Sequence, residues 1–121
     1  MSADASRVFA PLHSAAEFIA FLEVQRADFR STLPGRFARM QALWSDITGG
    51  RGSADALDQL ERQAHGLAGT GATFGFRDLG ESAKALELKL CDYAAPSGAT
   101  TLADIAAALE SVRKTLPGEF A

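Results

Sequence analysis

The sequence predicts an all-α protein: an antiparallel up-and-down four-helix bundle with an additional N-terminal helix. Three observations lead there. Apolar residues recur at alternating steps of three and four along separate stretches, the period of a helix with one face in a core. No stretch alternates with the period of a strand. The breaks between stretches are short and rich in glycine and proline, and short loops between amphipathic helices make antiparallel neighbours.

Residues 1–12 read as a flexible leader and 13–121 as one helical bundle domain. The first helix is expected from Ser14 to Ser31, with Phe18, Leu22, Gln25 and Phe29 at helical spacing and Ile19 and Phe21 widening the stripe. Ser14 and Glu17 have the spacing of a capping box. Thr32-Leu33-Pro34-Gly35 is expected to break the chain. A second helix then starts there, because proline is tolerated in a first turn. Its stripe is Phe37, Met40, Trp44 and Ile47, and Gly49-Gly50-Arg51-Gly52 ends it.

Ser53 is the expected N-cap of the third helix, whose stripe is Leu57, Leu60, Ala64, Leu67, Gly71 and Phe74. Gly75 suits the left-handed position that follows a helix. The fourth helix follows at once, with Asp78 and Glu81 as a capping pair and Leu79, Ala83, Leu86, Leu90 and Tyr93 as its stripe. Ala95-Pro96-Ser97-Gly98 breaks the chain again. The last helix opens on Thr101 and Asp104, carries Leu102, Ile105, Leu109, Val112 and Leu116, and closes at Pro117-Gly118.

Composition narrows the function. A chain of 121 residues holds one domain with a core of four or five helices. With 47% apolar residues it is not a disordered chain. The net charge of −3 gives no electrostatic footprint for nucleic acid, and no apolar run approaches the ~20 residues of a membrane span. Met1 to Arg7 is short and polar, with no signal-peptide core behind it. The single cysteine, Cys91, cannot form an internal disulfide, so a cytoplasmic protein is expected.

The third helix carries an oddity. His65 lies one residue off the apolar stripe, at the border of core and solvent, and three glycines (Gly66, Gly69, Gly71) surround it. Each glycine costs roughly 1 kcal/mol against alanine inside a helix. Gly69 at i+4 and Ala68 at i+3 cover the same patch as His65, so the ring is left open to a partner. Access explains Gly69 better than packing does, with close helix–helix approach as the rival. A bare His-x-Leu carries little weight, since a satisfied surface histidine is common.

The stretch resembles the phosphorylation motif of histidine-containing phosphotransfer (HPt) domains: His, any residue, Leu, usually Lys, Gly, two small residues, then an apolar residue and Gly. The matches are His65, Leu67, Gly69, Thr70, Gly71, Phe74 and Gly75, and Leu79, Ala83, Leu86 and Glu87 continue the pattern into the next helix. By motif the resemblance covers about half the chain, and by helix layout nearly all of it. The departure is Ala68, which stands where the family usually has Lys.

Geometry can be set beside that resemblance. In a hairpin turning at Gly75, His65 lies ten residues before the turn and Glu87 twelve after it. Those spans are ~15 and ~18 Å, so the two side chains stand at nearly the same height. A carboxylate accepting from Nδ1–H would hold the ring and leave Nε2 as nucleophile. The resemblance implies this role for Glu87. It also implies that Nε2 takes a phosphoryl group from the aspartate of a receiver domain and passes it to another receiver. Glu87 also fits a plain helical carboxylate paired with Lys84.

No glycine-rich phosphate loop, kinase signature or metal-ligand cluster is present in the sequence. The expected protein is therefore a monomeric phosphoryl carrier without cofactor, metal or kinase activity, and any Mg²⁺ would sit on the receiver. Its partners would be a response-regulator receiver domain, a hybrid sensor kinase, or both. A phosphoryl group adds −1.5 to −2 charge, which a cation would stabilise. With Ala68 in place of Lys, Arg62 at i−3 and Lys84 across the hairpin are the candidates, although either alone reads as ordinary solvated charge. The receiver is expected on the exposed face of the second and third helices around His65. Ala68 keeps an alternative open: an HPt-like helical module that binds a receiver or kinase without taking phosphate. A general scaffold bundle would leave the glycines unexplained. His13 is expected at the surface, Cys91 half-buried, and Trp44 and the phenylalanines in the core.

Overall fold

The computed structural model describes residues 15–118. Among them are four helices and no strand: α1 (Ala15–Thr48), α2 (Ser53–Thr73), α3 (Arg77–Ala94) and α4 (Leu102–Thr115). Consecutive helices pack against one another around a single apolar core, which makes the chain a helical bundle. The expected leader (residues 1–12), His13 and the Ser14 cap lie outside the described residues.

The two helices expected on either side of Pro34 are one helix of 34 residues. Pro34 lacks the N–H of one rung of the helical ladder, and proline in a helix interior ordinarily costs about 3 kcal/mol. Here Pro34 and Gly35 face solvent, where water can serve the interrupted backbone, while Leu33 and Phe37 on either side are buried. The buried stripe runs unbroken through the proline: Phe29, Leu33, Phe37, Met40, Leu43, Ile47. Packing of that stripe outweighs the local penalty.

The stripe expected further upstream is not core. No residue from Ala15 to Asp28 is buried, and Phe18 and Leu22 are exposed. Tyr93 and Leu102, at the far ends of their stripes, are exposed as well, and Trp44, Leu57 and Phe74 are half-buried against the core. The remaining stripe residues of α2, α3 and α4 are buried, with Leu60, Ala64, Leu86, Leu90 and Ile105 fully so. Truncating any of these leucines or Ile105 to alanine should cost about 2–5 kcal/mol.

Helix ends decide where the site falls. Gly75 takes φ 81, and the Phe76 N–H donates to the Gly71 carbonyl at 2.8 Å and the Gly75 N–H to that of Ala72 at 3.3 Å. This pair of bonds is the Schellman ending that a glycine after a helix favours. It turns the chain straight into α3. Phe29 stacks on Phe74 and packs tilted against Phe76, with ring centroids 5.6 Å apart in both pairs, and the Arg26 guanidinium lies 4.5 Å over the Phe76 ring. These aromatic contacts fasten α1 under the turn.

Two expected caps are replaced. Gly52, at φ 54, occupies the N-cap position of α2, and the Ser53 hydroxyl donates instead to the Ile47 carbonyl at 3.4 Å. Phe76 precedes α3 without a side-chain cap. Asp78 sits inside the first turn, and Glu81 pairs with Arg77 at 3.4 Å. The Thr101–Asp104 capping box forms as expected, with Asp104 N–H donating to Thr101 Oγ1 at 3.2 Å and Thr101 N–H to Asp104 Oδ2 at 2.9 Å. Asp92 ties down the α3–α4 loop by accepting from the Ala99 and Thr100 N–H groups and the Thr100 hydroxyl.

Candidate functional site

Ala64, Leu67 and Gly71 fill the core face of α2, and His65 stands on the rim beside them. On α3, Leu86 fills the core and the adjacent Glu87 stands on the facing rim. The antiparallel hairpin brings the two rims together. His65 Nδ1 lies 2.8 Å from Glu87 Oε2, and Lys84 Nζ donates to Glu87 Oε1 at 3.2 Å. The His65 side chain is 73% exposed and that of Glu87 only 12%.

Burial pushes the Glu87 carboxyl up, but the hydrogen bonds and charges of His65 and Lys84 outweigh it and hold the group below its ordinary 4.5. Glu87 is therefore a carboxylate at neutral pH and can only accept. The proton of a neutral His65 must then sit on Nδ1, which leaves the Nε2 lone pair in the exposed part of the ring.

An open groove runs along the hairpin from this pair. His65, Ala68, Gly69 and Ala72 of α2 line one side, and Arg77, Gly80, Glu81, Lys84 and Glu87 of α3 the other. Gly71 and Gly80 set its depth. A Cβ on either would meet the facing helix's backbone at 3.1–3.3 Å, so the two helices touch there without side chains between them. Gly69 is different, because a Cβ at that position would meet nothing within 4 Å. Close helix approach belongs to Gly71 and Gly80, and Gly69 only leaves space above His65.

The cations separate. Lys84 lines the groove and touches Glu87. Arg62 does not line it, and its guanidinium pairs with Asp58 one turn back at 2.9 Å. Arg77 lines the groove and was not singled out from the sequence, because the expected start of α3 lay one residue beyond it. Ala72 and Glu81 were missed too. Ala72 is seven residues after His65, and two helical turns would have placed it on the same face. The groove lies between α2 and α3.

Cys91, one turn beyond Glu87, is exposed rather than half-buried. Desolvation against its neighbours and the Glu61 carboxylate push its thiol up, away from the reactive thiolate. Among the described residues no group of His, Cys, Asp or Glu could hold a metal ion, and no helix is long and apolar enough to cross a membrane.

Comparison with protein families matches a model described as Hpt domain over residues 25–115. No curated protein and no solved structure matches. Hpt domains are helical bundles that act as phosphoryl carriers in two-component phosphorelays, where they interact with receiver domains and kinases. The match spans well over half of the chain, all of α2, α3 and α4, and the whole His65 groove, and on that basis the chain belongs to the Hpt domain family.

Proposed function

We propose that His65 is the phosphoacceptor of this Hpt domain and that Glu87 orients it. The observation that carries the proposal is the 2.8 Å contact between His65 Nδ1 and a largely buried carboxylate, made by a ring that is otherwise open to solvent. Glu87 holds the proton on Nδ1 and fixes the ring plane. Nε2 attacks the phosphorus of an aspartyl phosphate on a receiver domain. The N–P bond forms, the P–O bond breaks, and the aspartate leaves as a carboxylate. The phosphorylated ring keeps its Nδ1 proton, and Glu87 compensates the positive charge this creates. The reverse sequence, on another receiver, returns the group.

Lys84 supplies the cation that Ala68 does not. Its ammonium is held at the groove by Glu87, the carboxylate that also touches the reacting ring. Arg77 stands further along the same groove, whereas Arg62 is engaged by Asp58 outside it. Gly69 gives the incoming receiver clearance, and the receiver docks over α2 and α3. A single domain over residues 13–121, with its helices in up-and-down order, accommodates this placement. Such a carrier needs no cofactor or kinase activity of its own, and it works in the cytoplasm with a receiver or hybrid kinase as donor.

The experiment is intact-mass spectrometry after incubation with a phosphorylated receiver domain, wild type beside His65→Gln, before and after brief acid. One phosphoryl adduct that acid removes and that the variant lacks is the expected result. A folded wild-type chain that binds the receiver but takes no phosphoryl group would instead make it a receiver-binding module.

A further inference from the structure

A second hollow adjoins the His65 groove at the end where the hairpin turns. It encloses about 450 Å³, and Arg26 and Arg30 of α1 line it beside Arg77 and Asp78 of α3. Arg77 is common to the hollow and the groove, so the two surfaces are continuous. Among the described residues, three arginines thus meet one carboxylate in this hollow, in a chain whose net charge is −3. Arg77 opens α3, the end of a helix at which the macrodipole disfavours a cation. Its Nε reaches Glu81 at 3.4 Å, but the two side chains are 83% and 67% exposed, and such a pair adds little to the fold. Arg26 sits over the Phe76 ring, a contact that holds the guanidinium in place without using an acceptor for its N–H groups.

We propose that Arg77 and Arg26 are specificity residues, which select receiver domains bearing carboxylates at the edge of their docking face. The proposal rests on the reading that a receiver docks over α2 and α3 to reach His65. Arg77 precedes Glu87 by ten residues, so it stands ~15 Å along α3 from the reacting pair. The groove between them offers the small residues Ala68, Ala72 and Gly80. A receiver with its phosphorylated aspartate at His65 lays apolar surface on these and brings its edge to Arg77 and Arg26. Guanidinium groups take carboxylates through charge-assisted, two-pronged hydrogen bonds. The receiver that fits therefore carries aspartate or glutamate ~15 Å from its phosphorylated aspartate. Receivers with lysine or arginine at that edge are rejected by like charge.

The test uses the receiver domain of the adduct experiment above. Transfer kinetics are measured on the full chain, and binding by isothermal titration in the His65→Gln background, where no transfer occurs. Arg77→Glu should raise KM and weaken binding roughly tenfold or more, the effect falling on KM rather than kcat. Glutamate suits the first turn of a helix, so this variant should fold. Arg26→Gln should act in the same direction, more weakly. Arg62→Glu makes the same change in net charge outside the groove and should leave KM within about twofold of wild type. Raising salt from about 50 to about 500 mM should weaken wild-type binding and affect Arg77→Glu less. A wild-type KM and affinity in Arg77→Glu, an equal loss in Arg62→Glu, or a loss confined to kcat would each overturn the proposal. Absence of any adduct on His65 would count against the phosphoacceptor assignment alone, because the titrations are read without transfer.

Discussion

A Cβ on Gly71 would lie 3.2 Å from the backbone nitrogen of Gly80, and one on Gly80 would lie 3.1 Å from that of Ala72. These are backbone-on-backbone approaches, so neither side can yield by turning a rotamer. They set the spacing of α2 and α3, and with it the distance between His65 and Glu87.

Alanine at two glycines should therefore act in opposite directions. Gly69→Ala meets open space and gains helix propensity, so it should raise stability by roughly 0.5–1 kcal/mol. Gly80→Ala gains the same propensity but overpacks the crossing, at a cost of about 1–3 kcal/mol, and should come out destabilised. Urea unfolding of the two variants beside wild type reads both signs.

Clearance above His65 separates docking from chemistry. Gly69→Leu should fold normally and still accept phosphate from a small donor such as phosphoramidate, while transfer from a receiver falls steeply. Equal loss with both donors would mean that Gly69 shapes the reaction centre itself.

Glu87 should show its role through the conservative variant. Losing a hydrogen bond to a charged group costs about 1.5–3 kcal/mol, which corresponds to ten- to hundredfold in rate. Glu87→Ala should slow transfer by that range. Glu87→Gln keeps an acceptor for Nδ1–H but loses the compensating charge, so its rate should fall between those of wild type and Glu87→Ala. Rapid-quench transfer kinetics compare them directly.

The two cations expected from the sequence should now differ. Lys84→Ala should slow transfer and shorten the lifetime of the phosphorylated protein, whereas Arg62→Ala, whose partner is the surface Asp58, should change neither measurably. If the double variant behaved as wild type, the phosphoryl group would need no cation from this chain.

Acid stability follows from the depressed carboxyl of Glu87. Because its folded value lies below the ordinary 4.5, the unfolded chain binds more protons across that interval. The stabilisation is fully present above about 4.5 and is lost as pH falls through the folded value. Glu87→Gln removes this dependence, so its acid-unfolding curve should be flatter than that of wild type in that window.

Much of this was legible locally. The turn at Gly75, the Thr101–Asp104 box and the buried faces of α2 to α4 depend on neighbours a few residues apart, which spacing reports well. The meeting of His65 and Glu87 required only a turn position and a rise per residue. Pro34 was misleading because its effect depends on which side of α1 it faces, and the solvent side tolerates it. Phe18 and Leu22 keep the core period but lie where no other helix reaches, and periodicity does not say how long the neighbours are. Arg77 and the groove's true flank depended on the first residue of α3, the least certain part of any helix.

The most direct test is where the phosphoryl group sits on the ring. Long-range ¹H–¹⁵N spectra of the phosphorylated protein, labelled at histidine, distinguish the two ring nitrogens. A carboxylate that occupies Nδ1 predicts phosphorylation of His65 at Nε2 alone, with Nδ1 still protonated. A phosphoryl group at Nδ1, or on any residue other than His65, would contradict the account.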